Sequence, residues 1–457
     1  MSVINIGLSG LNANRVALNV TALNTANANS VGYTRQTVAL GSISGGSVVA
    51  GMEVGSGVQV NGIRRMVDDS ANVNLRNATT DAGYSAQLLS SLSYIEEVLG
   101  ADGLNVNETL GNFFTSINEA NPEPSSSPLR QQIIQSADLL AQSISSAQDK
   151  LFGAMKNELG LYETQVDLLN SDLKSIAKLN EEIAVTLASG GDISGLQDQL
   201  EVLNNQVASK VKVNAVSNDK GQLELSMANG EPLVNGNQYA VVSRDLSSGN
   251  PYSTDLNISF GNSTIKVGGA VGGSLGATGV LINDELTPLL GAFDDIAVNL
   301  ADEVNNVLFA GFDMNGNPGA SLFDYDPANP AATLRITNIT VNELALSADG
   351  APGNGDNLHA LYDISSTQYL ISGSNLTLDK GYTLALGEIG ASTSQAISIN
   401  KASQTRLNSA QVARDQVSAV NSDEEAANLM VYMNAYNANM KVISTGNQMF
   451  ESILSAF

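Results

Sequence analysis

The stretch from Ser422 to Phe457, "SDEEAANLMVYMNAYNANMKVISTGNQMFESILSAF", carries Leu429, Met433, Tyr436, Met440, Ile443, Phe450, Leu454 and Phe457 at alternating four- and three-residue intervals. Asn447 is the one polar member of the series. This spacing predicts one long helix with an apolar stripe. Its other faces are nearly uncharged, with only Lys441 and Glu451 beyond Ala426. A solvated helix normally carries mixed charge on its outer face, so a stripe of this kind calls for burial on several sides. The other end behaves alike. Ile4, Leu8, Leu11, Leu18 and Ala22, with Arg15 in the stripe, predict a helix to about Asn29, and residues 1–52 hold no Asp or Glu. The two ends are expected to pack on each other and on copies of themselves, and to become ordered on assembly. Arg15 and Asn447 are expected to fix register within the seam.

Composition narrows the class. Lys plus Arg number 21 against 46 Asp plus Glu, a net charge of -25, with no local basic patch, which argues against nucleic acid as a partner. Cysteine is absent, so there are no disulfides or thiolate sites. No run approaches the roughly 18 apolar residues of a membrane span, so no membrane insertion is expected. The start "MSVINIGLSGLNANR" lacks the basic and apolar regions of a cleaved signal.

Along the chain, "NSVGYTRQ" breaks the first helix at Gly32, and alternation around Val58 and Val60 suggests a hairpin. Helical patterns run from about Val67 to Leu99, Val106 to Glu119 and Leu129 to Leu187, the last opened by Pro128, and "LQDQLEVLNNQVASKV" adds another. Alternation from Lys212 to Lys266 predicts strands, a helix follows from near Asn283, and a second β-rich stretch is expected from about Gly311 to Ile389. Ser422 and Glu425 form a capping-box pattern. The fold expected is multidomain α plus β. It comprises a terminal α-helical coiled coil (1–60 with 420–457), a discontinuous helical-bundle domain (61–211 with 275–310 and 395–419), and a β-rich inserted outer domain (212–274 with 311–394).

Candidate chemistry is thin. The single histidine, His359, cannot build a multi-histidine metal site. Gly272-Gly273-Ser274-Leu275-Gly276 matches the G-x-S-x-G pattern, and Asp284, Asp313 or Asp356 with His359 would complete a triad order. That reading, a serine hydrolase centred on Ser274, needs a parallel sheet with crossover helices that the strand pattern does not supply. "DMNGNPG" from Asp313 resembles the start of a calcium loop, but glycine falls at the fourth position and Asp324 stands where a bidentate Glu belongs. No enzyme activity, cofactor or metal is expected. Glu424 and Glu425 are read as acids that complement the first turn of a helix.

The residues at both ends resemble the axial proteins of the bacterial flagellum. Asn27, Ala28, Asn29, Gly32, Tyr33, Thr34, Arg35 and Gln36 match that family's Asn-rich signature after the first helix. Asp423, Glu424, Glu425, Asn428, Leu429, Tyr436, Ala438, Lys441, Val442 and Ile443 match the C-terminal signature of its rod, hook and hook-associated members. "GYTRQ" in place of a "GFK"-type ending, together with "LQDQLEVLNNQVASKV", "LSMANGEPLVNG" and "GFDMNGNPGASLF", resembles the hook-associated protein 1 family of hook–filament junction proteins. Leu196 to Leu203 departs from the usual "LLDQRDQLL" in lacking its Arg, and Val31 replaces a Pro. The resemblance implies a structural adaptor that adds to the hook and receives the second junction protein. It also implies flagellar type III export without a cleaved signal and an export chaperone at the C-terminal helix. Another axial protein, hook or distal rod, is the alternative within the family.

Overall fold

The computed structural model describes residues 3–43, 48–49, 52–53, 55–100, 105–351 and 353–455. Helix α1 (Val3–Ala26) leads through a turn at Gly32, φ +80°, into β1 (Gln36–Ser42). A two-residue pair, β2 (Val48–Val49) and β3 (Met52–Glu53), precedes β4 (Val58–Arg65), which lies antiparallel to β1 from Gln36↔Arg65 to Ser42↔Val58. The hairpin expected around Val58 is present.

The long helices follow from their caps. Asp68 accepts the Ser70 and Ala71 amides at 2.9 and 3.2 Å and starts α2 (Asp69–Leu99). Asn105 accepts the Glu108 amide and starts α3 (Val106–Ala120). Pro128 sits in the first turn of α4 (Ser127–Ala188), where its missing N–H leaves no bond unmade. At 62 residues α4 is one unbroken helix, roughly 90 Å long at the α-helical rise. The chain then turns back as α5 (Ser194–Lys210).

The strands are all antiparallel. β5 (Val213–Ser217), β6 (Leu223–Met227), β7 (Pro232–Asn235) and β8 (Gln238–Tyr239) form a meander, and β10 (Leu256–Phe260) lies between β9 (Val241–Arg244) and β11 (Ser263–Val267). The next helix begins at Gly273, not near Asn283. A Cβ on Gly273 would fall 2.4 Å from the Lys210 carbonyl carbon, so only glycine lets α6 (Gly273–Val280) approach the end of α5 this closely. A π turn, Leu281–Leu286, joins α6 to α7 (Thr287–Ala310). Pro288 supplies no N–H to the Asp284 carbonyl, and the wider turn accommodates its ring.

The stretch from Gly311 to Ile389 departs from expectation. Its strands are only β12 (Phe323–Asp324), β13 (Arg335–Ile336), β14 (Tyr369–Ile371) and β15 (Ser374–Leu376), with two short helices, α8 (Pro330–Thr333) and α9 (Asp356–Asp363). Helix α10 (Leu378–Ser418) starts well before residue 389. Its Thr, Ile and Gly content lowers helix propensity, but Leu378, Tyr382, Ala385, Ile389 and Ala396 are buried at helical spacing, and packing prevails. Last comes α11 (Ser422–Ser455).

Two apolar cores divide the molecule, and α4 runs through both. Ile133 to Leu159 of α4 pack with α3, α7, the start of α10, Phe323 of β12, Leu358 of α9 and Leu346 between them. Tyr162 to Ile183 pack with α5, Leu275 and strands β5 to β10. The two stretches grouped from sequence as one β-rich outer domain therefore lie in different cores. Besides the apolar packing of the stretch after Gly311, Arg130 of α4 ties it down: its buried guanidinium donates to the carbonyls of Val341 (2.6 Å) and Leu344, and also to that of Pro124 (2.8 Å). Burial lowers its pKa to about 10, with Asp313 opposing, and it stays charged at neutral pH. Arg130→Met orphans these acceptors at about 1–3 kcal/mol each. It should lower the urea midpoint and open residues 337–349 to protease; an unchanged midpoint would refute the anchoring.

Candidate assembly interface

Helices α1 and α11 run antiparallel. Ile4 lies against Gly446, Gly7 against Ile443, Gly10 against Asn439, and Asn24 is bonded to Glu425. The buried face of α1 is Gly7, Gly10, Ala13, Ala17, Val20, Thr21 and Asn24. Opposite it on α11 are Glu425 and Gly446, buried, with Asn428, Tyr432, Ala435, Tyr436, Asn439 and Ile443 half-buried. A Cβ on Gly10 would sit 2.6 Å from Asn439 Oδ1, and one on Gly446 would sit 2.7 Å from Ile4 Cγ1. Small residues set how closely these helices approach.

This contact lies about one residue, roughly 100° of helix rotation, from the stripes expected from sequence. Leu8 is 48% exposed, Leu429 38%, Met433 46%, Met440 50%, Phe450 59% and Leu454 62%. Leu11, Leu18, Tyr436 and Ile443 are half-buried. Arg15, Ala22 and Asn447 are exposed and outside the contact, so neither polar residue sets register within the pair. Phe457 lies outside the described residues. Most of the large apolar stripe is thus turned to the side of the contact and exposed, while Tyr436 and Ile443 at its edge still meet α1. Beyond Gly446, α11 continues to Ser455, about 13 Å past Ile4 at helical rise, with Met449, Phe450, Ile453 and Leu454 all exposed.

At the other end of the pair a polar knot joins both terminal signatures. Asn24, buried, donates Nδ2 to Gln36 O (2.8 Å) and Glu425 Oε2 (3.2 Å), and its Oδ1 accepts Gln36 N (3.0 Å) and Tyr33 Oη (2.8 Å). Arg35 pairs with Glu425 and Glu424, both at 2.8 Å, and its amide donates to Ser418 O. Asn421, not Ser422, caps α11 by accepting the Asp423 and Glu424 amides. Glu425 is buried in the knot, which exceeds the role in helix-dipole complementation expected of it. Burial, then the Asp198, Glu425 and Asp192 carboxylates, push Tyr33 up to about 12, so it keeps the proton it donates to Asn24. Asn27 closes a local turn through Ser30, and Asn29 is exposed.

A second clamp ties this unit to the body. Asp198 of α5, in the "LQDQLEVL" run, accepts the Thr34 amide (3.2 Å) and pairs with Arg65 (2.8 Å), which also donates to Thr34 Oγ1. Sequence reading singled out neither Asn24 nor Asp198. The signal was available for Asn24: it ends the series Gly7, Gly10, Ala17, Thr21 on one helical face.

The catalytic constellation is not assembled. Ser274 lies in the first turn of α6 and donates to Gln165 Oε1 at 2.6 Å, and His359 is exposed on α9. Burial pushes the Asp313 carboxyl up, but amide and side-chain donors of Asn315 and Asn317 outweigh it and hold it low. These bonds close a polar turn, while Asp324 pairs with Arg335 across β12 and β13. Among the described residues no group of His, Asp and Glu could hold a metal, and no helix is long and apolar enough to cross a membrane.

A family profile described as the helical domain of flagellar hook-associated protein FlgK matches residues 92–323, just over half of the chain. The chain belongs to the FlgK family of flagellar hook-associated proteins. A second profile, the C-terminal region of the flagellar basal body rod FlgEFG proteins, matches residues 415–456, from the end of α10 through α11. Flagellar hook-associated protein 1 of Bacillus subtilis is 25% identical over 486 residues, covering 97% of this chain and 96% of the relative. That of Salmonella typhimurium is 25% identical over 555 residues, with 99% of each covered. The excess over 457 is sequence that the relative carries and this chain lacks. The solved flagellar hook junction protein FlgK of Burkholderia pseudomallei shares the fold, with a TM-score of 0.67 at 15% identity, over 76% of this chain and all of that one.

In this FlgK-family chain Glu425→Ala removes the buried acceptor of Asn24 and one of the two carboxylates that half-buried Arg35 meets, and should destabilise the terminal unit by about 1–3 kcal/mol. Glu424→Ala removes an exposed carboxylate and should cost about 0–1 kcal/mol. Hydrogen exchange in the first turns of α11 distinguishes them; equal effects would dissolve the knot as described. The raised Tyr33 pKa favours the folded state below the unfolded value near 10. That contribution is lost as pH rises through about 12, and Tyr33→Phe should delete the corresponding absorbance step at 295 nm.

Proposed function

We propose that this chain is the structural subunit joining the flagellar hook to the filament, and that α1 and α11 are its polymerising elements. The observation that carries the reading is the outward apolar stripe of α11 with its overhang. Met449, Phe450, Ile453 and Leu454 have no α1 beside them, and copies of the same chain supply an apolar surface of matching kind in Val3, Ile6 and Leu8. Burying each such side chain stabilises by roughly 1.5–3 kcal/mol. The intramolecular contact is built largely on glycine, alanine and asparagine, with Ile4, Val20 and Ile443 as its larger apolar members, and leaves most of the large apolar residues of α11 exposed, which supports the reading that the ends gain their order from neighbouring copies.

In this reading the terminal pair, with the β1–β4 hairpin against it, lines an inner tube, and the two cores around α4 lie outside it. Leu8, Leu11 and Leu18 on α1, with Leu429, Met433, Tyr436, Met440, Ile443, Phe450 and Leu454 on α11, contact neighbouring copies. Arg15 and Asn447 set register between chains. The partners are further copies, the hook protein on one side and the second junction protein on the other, with an export chaperone on α11 before secretion. The location is the extracellular flagellum, reached without a cleaved signal. The helical-domain match over 92–323 favours a junction protein over hook or rod, because the C-terminal match covers a segment common to those classes.

Deleting residues 447–457, or Phe450→Ser with Leu454→Ser, should abolish polymerisation while leaving the helix content of the unassembled chain, apart from any residues removed, unchanged by circular dichroism. In cells lacking the chain, hooks should form without filaments. Normal filaments in either strain would overturn the proposal, and absence of hooks would reassign the chain to the hook or rod.

A further inference from the structure

The chain has ten methionines and no cysteine. Met155 and Met227 are buried in the two cores, whereas Met430, Met433, Met440 and Met449, all on α11, are between 46% and 57% exposed. Spacings of three and seven residues put Met430, Met433 and Met440 on one face, and Met449 stands beside Phe450 on the overhang. With no thiol anywhere to react first, these thioethers are the reactive sulfur on the helix that carries the outward apolar stripe. A thioether suits a seam that meets neighbours in several settings, because its unbranched chain adapts to irregular surfaces. It also reacts with two-electron oxidants.

We propose that Met430, Met433, Met440 and Met449 form a modification site at which peroxide-class oxidants switch off self-association of the chain. The inference rests on the reading of α11 as the polymerising helix. In the reaction the thioether sulfur attacks one oxygen of hydrogen peroxide, an S–O bond forms and the O–O bond breaks. Sulfur is oxidised by two electrons, and the other peroxide oxygen leaves as water after taking the proton of the first. The product carries a strong S=O acceptor where the seam must become dry. Burying such a group without a donor is unfavourable; three of them share one face, and Met449, half a turn round from Met440, adds a fourth on the overhang. Met155 and Met227 are shielded by their cores. Copies already polymerised cover the seam, so the switch acts on unassembled chains.

The test uses the purified full chain with hydrogen peroxide, peptide mapping by mass spectrometry, and sedimentation under salting-out conditions that favour apolar contact. Sulfoxide should appear first at the four α11 methionines, sedimentable polymer should fall at least tenfold, and methionine sulfoxide reductases should restore it. The fourfold variant M430L/M433L/M440L/M449L, which conserves volume, should polymerise before and after peroxide alike. Undiminished polymer from the oxidised chain, or sulfoxide appearing first at Met155 and Met227, overturns the proposal. So does loss of helix content in the oxidised monomer, since the effect would then be on folding. If the untreated chain never polymerises, the reading of α11 as an assembly helix fails instead, and the sulfoxide map alone decides whether these four react first.

Discussion

The close approach of α1 to α11 decides how the rest of the terminal unit is built. Gly7, Gly10 and Gly446 each receive a side chain of the facing helix (Ile443, Asn439 and Ile4), so the helices approach closely and most other large apolar residues stand beside the contact, exposed. A conventional apolar seam would bury those residues within one chain and leave a satisfied hairpin. Here the pair is aligned by small residues and a few polar bonds, and most of its apolar surface remains available to something else. An exposed apolar surface of this kind marks an interaction site.

The polar bonds are concentrated where the pair meets the body. Asn24, Arg35 and Glu425 lock the end of α1, the start of β1 and the start of α11, and Asp198 with Arg65 and Thr34 fastens that locked end to α5. From α5 the connection passes into the second core and so to α4, which extends through both cores. The terminal pair is therefore joined to a single long helix through hydrogen-bonded and ion-paired contacts to α5 and apolar packing of α5 on α4.

How much of this the sequence disclosed depends on what fixes each part. Period is local, so α2, α3, α4 and the strands from Val213 to Val267 were readable from helical spacing, from Pro128 and from the alternation of Leu223, Leu225 and Met227, whereas the caps Asp68 and Asn105 were not singled out. The phase of the terminal contact was not. Glycine and alanine carry no hydrophobic signal, and the eye follows Leu429 and Met433, which lie a residue away from the buried stripe. The stretch after Gly311 was misread because Thr, Ile and Gly suggest strands locally, whereas its structure is set by distant partners: Arg130 holds two of its carbonyls, and α10 packs onto α7. Glu425 was assigned a local task for the same reason, since its partner Arg35 lies hundreds of residues earlier. Both family signatures were readable as motifs, but that they bond to one another required the fold.

The placement of the knot also explains the overhang. In an antiparallel pair of small-residue stripes, sliding by one heptad costs little in shape, because glycine and alanine recur at similar spacing along α1. The Asn24–Glu425 bond and the Arg35 pairs remove that freedom, since any slip leaves a buried carboxylate and amide without partners. With register fixed at that end, the unequal lengths of the two helices appear wholly at the other. The residues after Gly446 must then project beyond Ile4, with Met449, Phe450, Ile453 and Leu454 uncovered. A buried polar cluster thereby specifies, from the far end of the pair, how much apolar helix is left uncovered.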